Sequence, residues 1–332
     1  MKKGIVIRKF QLLKHKNPTE QVDLTEENVV AIGEKAFYRC KKVEKIHLPK
    51  ELSTVKAKAF ANCRHLKEVI LPESRGVGIS VGAFENCGRL TAVENTQMIT
   101  AIGNNAFRGC YFLQKAEFGA LLRRIGESAF ADCRSLKEIR LSPSVESVGK
   151  NAFMGCTELE TVVLEEGFSA LSKGMLRDCI SLTGVEIPAS VSEIPANAYR
   201  NCSAITELTV PMSVKKLGYS AFRGCSRLES CEIELGCARI GALCFAENRS
   251  LKSVHVPHSV KRLGFGAFGL KKREEKITVS VDNEYMLRRM RRQVFLCGSF
   301  MAARVVMVGK TIAERKKERR RSTVEQNAVH IS

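Results

Sequence analysis

The 332-residue chain contains no tryptophan, only 6% aromatic residues, and six histidines that are scattered along its length. It has no C-x-x-C pair, no G-x-S-x-G motif and no phosphate-binding glycine loop. These absences argue against a zinc site, an acyl-transfer nucleophile and a nucleotide pocket, so we expect a protein without metal, cofactor or catalysis. The sequence also lacks an apolar run of the roughly 18 to 20 residues that span a bilayer, and its start lacks the apolar core of a secretory signal.

The main feature of the chain is an internal repeat. An apolar anchor recurs eleven times, at intervals of 23 residues except for one interval of 24 residues. The anchors are Ile32, Val55, Ile79, Ile102, Ile125, Val148, Leu171, Ile194, Leu217, Ile240 and Leu263. A fixed period in this range indicates a solenoid, in which each coil buries its apolar face against its neighbours.

Three further positions repeat with each anchor. A small residue, usually alanine, stands four residues after the anchor, and an aromatic residue follows it in every coil but the seventh, which has Leu176. A cysteine stands eight residues after the anchor in nine coils. The cysteines of this row are Cys40, Cys63, Cys87, Cys110, Cys133, Cys156, Cys179, Cys202 and Cys225. Stacking the coils predicts parallel rows of buried alanine, aromatic and thiol side chains.

The second half of each coil reads L-x-x-I-x-L, as at 66–71, and its alternation predicts a short strand with one face inward. The A-F-x-x-C half is too short for an independent helix, so we expect a helical turn that is held by packing on the opposite wall. The fold class expected is an α+β repeat solenoid with a parallel sheet on one wall and short helical turns on the other.

This pattern, L-x-x-I-x-L-P followed by I-G-x-x-A-F-x-x-C, resembles the BspA-type leucine-rich repeat family over about residues 20 to 280. The resemblance implies a curved solenoid whose strands line the concave side. It also implies binding to proteins or host molecules, as in several members. Many relatives carry an export signal and a surface anchor, and neither is visible in this sequence.

We expect three parts along the chain. Residues 1–31 alternate like a hairpin followed by a degenerate repeat, which predicts an N-terminal cap. Residues 32–285 hold the eleven repeats. Residues 286–332 begin with apolar side chains at helical spacing, Leu287, Met290, Val294 and Cys297, with arginines between them, and this predicts a basic cap helix and tail.

The net charge of +19 is unevenly distributed, and residues 286–332 carry +9 of it. By contrast, one outward residue of each strand lies between its last two inward residues, and the formal charges of this column sum to −3. The last residue of the column in the repeat alignment is Thr278. A phosphate backbone would find nothing attractive on such a strand face. The alternative function, binding of nucleic acid or an anionic membrane surface, therefore falls on the tail. Its candidate residues are Arg315, Lys316, Lys317, Arg319, Arg320 and Arg321.

The thirteen cysteines form no disulfide or zinc pattern and are interpreted as small buried hydrophobic residues. Thiols of this kind and the absence of an export signal lead us to expect a cytoplasmic protein.

The function expected from the sequence is a non-catalytic protein-protein interaction module that binds an unknown protein partner on the concave strand face. Its candidate residues are His47, Glu94, Glu117, Arg140, Glu186, Thr209, Glu232 and His255. Lys115, Lys137 and Lys252 are expected on the same face, which favours a partner of mixed charge over a polyanion.

Overall fold

In a computed structural model the chain winds into a parallel β-solenoid of eleven coils. The structure describes residues 5–8, 11–15, 18–269, 277–281, 288 and 303–307. Within those residues, helical conformation is confined to a 3₁₀ helix at Thr96–Met98 and to the single residue Arg288. The expected α+β class with helical turns is therefore wrong, and the molecule is a β-solenoid.

The first ladder is formed by the short strands that contain the anchors, preceded by the two strands of the N-terminal hairpin. Its strands are β1 (Ile5–Arg8), β2 (Gln11–His15), β4 (Ala31–Ile32), β6 (Thr54–Val55), β8 (Val77–Ile79), β10 (Ile99–Ile102), β12 (Arg124–Ile125) and β14 (Ser147–Val148), and then β16 (Glu193–Ile194), β18 (Lys216–Leu217), β20 (Arg239–Ile240) and β22 (Arg262–Leu263). All neighbours pair in parallel except β1 and β2, which pair antiparallel where the alternation predicts a hairpin.

The second ladder is formed by the L-x-x-I-x-L segments. Its three sections are β3 (Gln21–Asp23), β5 (Lys45–His47), β7 (Glu68–Ile70) and β9 (Ala92–Glu94); β11 (Lys115–Ala116), β13 (Glu138–Leu141) and β15 (Thr161–Leu164); and β17 (Glu207–Val210), β19 (Ser230–Ile233), β21 (Ser253–Val256), β23 (Ile277–Val281) and β24 (Ala303–Met307). Inward residues are buried and outward residues are exposed or half-buried, as the alternation predicts.

The A-F-x-x-C segments form a third wall, which we call the turn wall. Every second backbone N–H bonds within its own coil, as Cys40 N does to the Phe37 carbonyl at 2.9 Å. The intervening N–H groups donate to the next coil, as Phe37 N does to the Ala59 carbonyl at 2.8 Å. A helix would direct every N–H to the carbonyl four residues back, so this pattern is incompatible with one.

Left-handed backbone residues explain why the turn wall is not helical. The third and seventh residues after the anchor have positive φ, as Asn62 does at 62° and Asn105 does at 55°. A right-handed helix does not accommodate such residues, and asparagine and glycine adopt this conformation more readily than other types. Three bonds from these turns join each coil to the next through the whole repeat.

The predicted interior rows are confirmed. The aromatic rings of neighbouring coils lie parallel, with centroids 5.1 Å apart for Phe60 and Phe84 and 5.2 Å apart for Phe84 and Phe107. The aromatic row is interrupted at Leu176 and resumes at Tyr199. All of these side chains belong to one continuous apolar core.

The cysteine row is uncrosslinked and, apart from the half-buried Cys40, fully buried, and its thiols have a specific role in linking coils. The Cys110 Sγ donates to the Phe84 carbonyl of the preceding coil at 3.2 Å, and Cys133 does the same to Phe107. A cysteine at this position therefore fills a small apolar space and supplies a weak donor to a buried carbonyl. The twelve described cysteines are all free thiols.

The seventh coil interrupts both ladders but not the turn wall. Neither the Leu171 anchor nor the 183–187 segment is a strand, and Gly184 stands in a position that strands occupy elsewhere. The turn wall still bonds on both sides, from Phe153 N to the Met175 carbonyl and from Leu176 N to the Ala198 carbonyl, both at 2.9 Å. The turn wall therefore carries the stack through this coil.

The last coil is two residues longer than the sequence alignment indicates. The structure pairs Ser253 with Thr278 and His255 with Ser280, so Ser280, and not Thr278, continues the outward column. Strand β24 then adds to the end of the second ladder. The expected cap helix, apart from Arg288, and the basic tail residues 315–321 lie outside the described residues.

Candidate interaction surface

The outward side of the second ladder, which we call the ladder face, brings most of the predicted site residues into one column. Six of them lie on strands of this ladder: His47, Glu94, Arg140, Thr209, Glu232 and His255. The strand register confirms their alignment where it is continuous, as in the pairs of Thr209 with Glu232 and Glu232 with His255.

The other two predicted residues lie just outside strands. Glu117 follows β11, and Glu186 lies in the interrupted seventh coil; both side chains are exposed. The column is therefore one surface, but it is divided into sections by the breaks in the ladder.

A groove occupies the ladder face over the third to sixth coils. Its larger part has a volume of about 750 Å³ and is lined by Gln114, Lys115, Ala116, Glu117, Phe118, Ser135, Lys137, Glu138, Arg140 and Glu158. A smaller part of about 370 Å³ lies over Glu94 and Asn95 and shares Lys115 and Glu117 with the larger part. Three predicted residues, Glu94, Glu117 and Arg140, thus line one groove.

The charges of the larger part of the groove balance. Three cations and three anions line it: Lys115, Lys137, Arg140, Glu117, Glu138 and Glu158. Among the ion pairs of the described residues, only one involves this set, between Arg140 Nη1 and Glu165 Oε1 at 3.3 Å. The remaining five charges are unpaired within the described part of the chain. Such groups can form ion pairs with a ligand without first breaking one in the protein.

Elsewhere on the ladder face, lysines are paired with glutamates of neighbouring coils. Lys45 Nζ bonds Glu68 Oε1 at 2.8 Å, and Lys252 Nζ bonds Glu229 Oε2 at 2.9 Å. The Lys45 hydrogen bond is the largest cause of a lowered pKa at Glu68, and Lys252 likewise lowers the pKa of Glu229. Exposed pairs of this kind contribute little to stability, but they reduce the charge that is available to a partner.

A separate pocket of about 410 Å³ lies on coils eight to ten. It contains the predicted residues Glu232 and His255, and the exposed apolar side chains Met212 and Leu235 stand at its side. His47, Glu186 and Thr209 line neither this pocket nor the groove.

The smaller part of the groove lies at a local exception that the sequence reasoning missed. Asn95 occupies a position that is a buried leucine in the two preceding coils and Phe118 in the next, and its backbone is left-handed with φ of 61°. Its Nδ2 donates to the Leu71 carbonyl at 2.8 Å, and the 3₁₀ helix Thr96–Met98 follows. The second ladder breaks at this point, between β9 and β11. The signal was present, since Asn95 is a polar residue in an apolar column.

Replacing Asn95 by leucine is expected to destabilise the protein by about 1–2 kcal/mol, although it restores the repeat pattern. Leucine loses the bond to the Leu71 carbonyl and is strained in the left-handed region. Urea unfolding followed by circular dichroism measures the change. Asn95→Gly keeps the backbone conformation accessible and should cost less than leucine. A leucine variant as stable as the wild type would contradict this account of the turn.

Within the described residues, no three or more His, Cys, Asp or Glu side chains are grouped to hold a metal ion. The same part of the chain has no helix that is long and apolar enough to cross a membrane. The predicted anion-binding residues of the tail, 315–321, lie outside the described residues.

The family follows from the repeats. A family model described as "BspA type Leucine rich repeat region" matches in six copies, over residues 11–77, 77–206 and 169–289. The chain therefore belongs to the BspA-type leucine-rich repeat family. Proteins built from leucine-rich repeats are generally non-enzymatic modules for protein interaction or surface binding.

Several solved structures are distantly similar to the chain. A leucine-rich repeat protein from Bacteroides ovatus is 22% identical, with 93% of this chain and 97% of that chain covered and a TM-score of 0.49. A leucine-rich cell surface protein from Faecalibacterium prausnitzii is 19% identical, with 84% and 83% covered and a TM-score of 0.45. The leucine-rich repeat protein of T. pallidum is 20% identical, with 68% and 87% covered and a TM-score of 0.40. These similarities are too distant to bear on function. No curated protein matches the chain.

Proposed function

We propose that the protein is a non-catalytic interaction module that binds a protein partner on the ladder face, in the groove over the third to sixth coils. The observation that carries this proposal is the set of five unpaired charges in a groove of about 750 Å³. Elsewhere on the same face, Lys45 and Lys252 are held in ion pairs between coils. Unpaired charges of both signs in a concave site favour a ligand that supplies both signs.

The groove runs across parallel strands and is bounded by the Asn95 turn at one end and by Glu158 at the other. An extended peptide segment with alternating charges fits this arrangement better than a polyanion, because three carboxylates would repel the latter. Phe118 adds an apolar contact in the floor, where its ring lies 5.6 Å from that of Phe130. Glu117 and Lys137, which are both unpaired among the described residues, are the residues that we assign to partner recognition.

We also propose that the protein works in a reducing compartment such as the cytoplasm. The row of buried thiols supports this placement, because each thiol lies next to equivalent thiols and none is needed as a crosslink.

The test is a double charge exchange that leaves the net charge unchanged. A photo-crosslinking amino acid at Thr91, beside the groove, first identifies the partner by mass spectrometry. The double variant Glu117→Lys/Lys137→Glu is then expected to weaken binding of that purified partner tenfold or more, because both charges meet the wrong sign. Isothermal titration calorimetry measures the affinity.

The matched control is Glu127→Lys/Lys150→Glu, which exchanges two exposed charges of adjacent coils on the turn wall. This control should bind the partner within twofold of the wild type. Equal weakening by both double variants, or none by either, would reject the groove as the binding site.

A further inference from the structure

A second surface lies at the loop that joins the turn wall to the second ladder, and we call it the loop edge. It consists of the two residues after the cysteine position in each of the first five coils: Lys41, Lys42, Arg64, His65, Gly88, Arg89, Tyr111, Phe112, Arg134 and Ser135. These ten positions include no acidic residue, and the first acid at an equivalent position is Glu158 in the sixth coil. The loop edge is therefore a strip of one charge sign, unlike the groove.

The cations of the loop edge are exposed and available. The ion pairs of the described residues include none of Lys41, Lys42, Arg64 and Arg89, and all four side chains are exposed. One carboxylate near this strip is Glu44. Lys67 Nζ bonds its Oε2 at 2.8 Å, and this hydrogen bond is the largest cause of its lowered pKa, to which the charges of His65 and Arg89 also contribute. A ligand that carries repeated negative charge meets little opposition here.

Two exposed aromatic rings stand within this basic strip. Tyr111 is 41% exposed and Phe112 is 56% exposed, which is unusual in a protein whose other phenylalanines mostly form its core. The Arg134 guanidinium lies 4.9 Å from the centre of the Tyr111 ring. On the other side, a Cβ at Gly88 would lie 3.3 Å from the Tyr111 Cδ2, so the glycine leaves room for the ring. Tyr111 is thus held in place, while Phe112 is free to accept a stacked group.

The length of the strip sets the size of the ligand. Ring centroids in the core advance by 4.8 Å from Phe37 to Phe60 and by 5.1 Å from Phe107 to Phe130. Five coils therefore span about 20 Å, as expected for parallel strands. A nucleic-acid strand with stacked bases advances by about 3.4 Å per nucleotide, so the strip is about six nucleotides long.

We propose that the loop edge binds single-stranded nucleic acid, with its cations on the phosphates and with Phe112 stacked on a base. Cations beside sequence-tolerant stacking rings are the combination by which single strands are bound. An acidic peptide or an anionic lipid surface would use the cations but would leave the rings without a partner of matching shape. This site adjoins the groove, with which it shares Ser135, and is distinct from the basic tail.

The test compares two pairs of arginines at the same loop positions in different coils. The variant Arg64→Gln/Arg89→Gln removes two cations from the loop edge, and Arg227→Gln/Arg249→Gln removes two exposed cations from the ninth and tenth coils. Binding of a fluorescein-labelled twelve-nucleotide oligo-dT to the full chain is followed by anisotropy at several salt concentrations. The first pair should weaken binding and reduce the slope of log K against log salt by about 1.4, since each phosphate contact on a single strand contributes about 0.7. The second pair should leave the affinity within twofold.

The variant Phe112→Ser tests the stacking. It should weaken oligonucleotide binding about tenfold and leave the salt slope unchanged, because the lost contact carries no charge. Inorganic polyphosphate is the probe without bases, and Phe112→Ser should not affect its binding. Equal effects of the two arginine pairs, no binding of the oligonucleotide at 50 mM salt, or indifference of oligonucleotide binding to Phe112 would each overturn the proposal. The groove variant Glu117→Lys/Lys137→Glu should bind the oligonucleotide normally, so failure of one proposal is distinguishable from failure of the other.

Discussion

Raising the pH from 8 to 9.5 is expected to remove about 8 kcal/mol of stability, which is comparable to the whole free energy of unfolding of a typical domain. The cause is a set of ten buried thiols whose pKa values are raised by desolvation. They are Cys87, Cys110, Cys133, Cys156, Cys179, Cys202, Cys225, Cys231, Cys237 and Cys244. For Cys225, burial raises the pKa to about 12.

The sign follows from proton binding in the two states. A thiol in the unfolded chain ionises near its ordinary pKa of about 8.5–9, while the same thiol in the folded core stays protonated. Above that pH the folded state binds more protons than the unfolded state, so stability falls as the pH rises. Each thiol contributes about 0.8 kcal/mol of this loss between pH 8 and 9.5.

Urea unfolding under a phosphine reductant at pH 7, 8, 9 and 9.5 measures the effect, with most lysines and tyrosines still protonated. The matched variant Cys110→Ala/Cys133→Ala should be less stable at pH 7, because it loses two contacts to backbone carbonyls, but it should lose about one fifth less stability over this pH range. An unfolding midpoint that does not move between pH 8 and 9.5 would show that the thiol row is open to water.

Truncation of a central ring is the second large effect. Phe130→Ala is expected to cost about 3–5 kcal/mol, because it leaves a cavity in the middle of the aromatic row. The Phe130 centroid lies 5.1 Å from that of Phe107 and 5.3 Å from that of Phe153, and Phe118 packs against its edge at 5.6 Å. One substitution thus removes three ring contacts, and each aromatic pair contributes about 0.5–1.5 kcal/mol beyond burial.

The control for this truncation is Phe112→Ala, the same change at an exposed position, which should alter stability by less than about 0.5 kcal/mol. Because each coil contacts only its neighbours, the cavity should also uncouple the two halves of the stack and give two unfolding steps in urea. A single transition with less than 1 kcal/mol of destabilisation would indicate that the coils repack around the gap.

The sequence predicts the interior well, because the interior residues recur at fixed positions of each repeat. The Ala, Phe and Cys positions repeat in register, and the structure stacks them in that register. The turn wall was predicted wrongly as helical, because an apolar pattern over one turn is common to a helix and to consecutive tight turns. The residues that distinguish them were present: Asn62, Asn105 and Asp132 stand where the backbone is left-handed.

The sequence predicts the column of outward residues, but it does not predict the groove that some of them line. Periodicity places Glu94, Glu117 and Arg140 on one face, but it does not predict the ladder break at Asn95, over which the smaller part of the groove lies. The alignment of Thr278 with His255 failed for a similar reason, because a two-residue extension of the last coil cannot be read from a decaying repeat. Periodicity predicts only what recurs in each coil. The Asn95 turn and the longer last coil depart from the repeat, so their structure does not follow from the period.

The alternating hydrogen bonds of the turn wall give the solenoid a net dipole along its axis. The peptide unit between Ala59 and Phe60 turns its carbonyl toward the preceding coil and its N–H toward the following one. Three units in each coil repeat this orientation, so their dipoles add along the stack as they do in a helix. The positive pole lies at the high-numbered end, where Gly266 and Phe268 stand, and the negative pole lies beside the first coil. An anion approaching from solution would thus distinguish the two ends of the solenoid before touching any side chain.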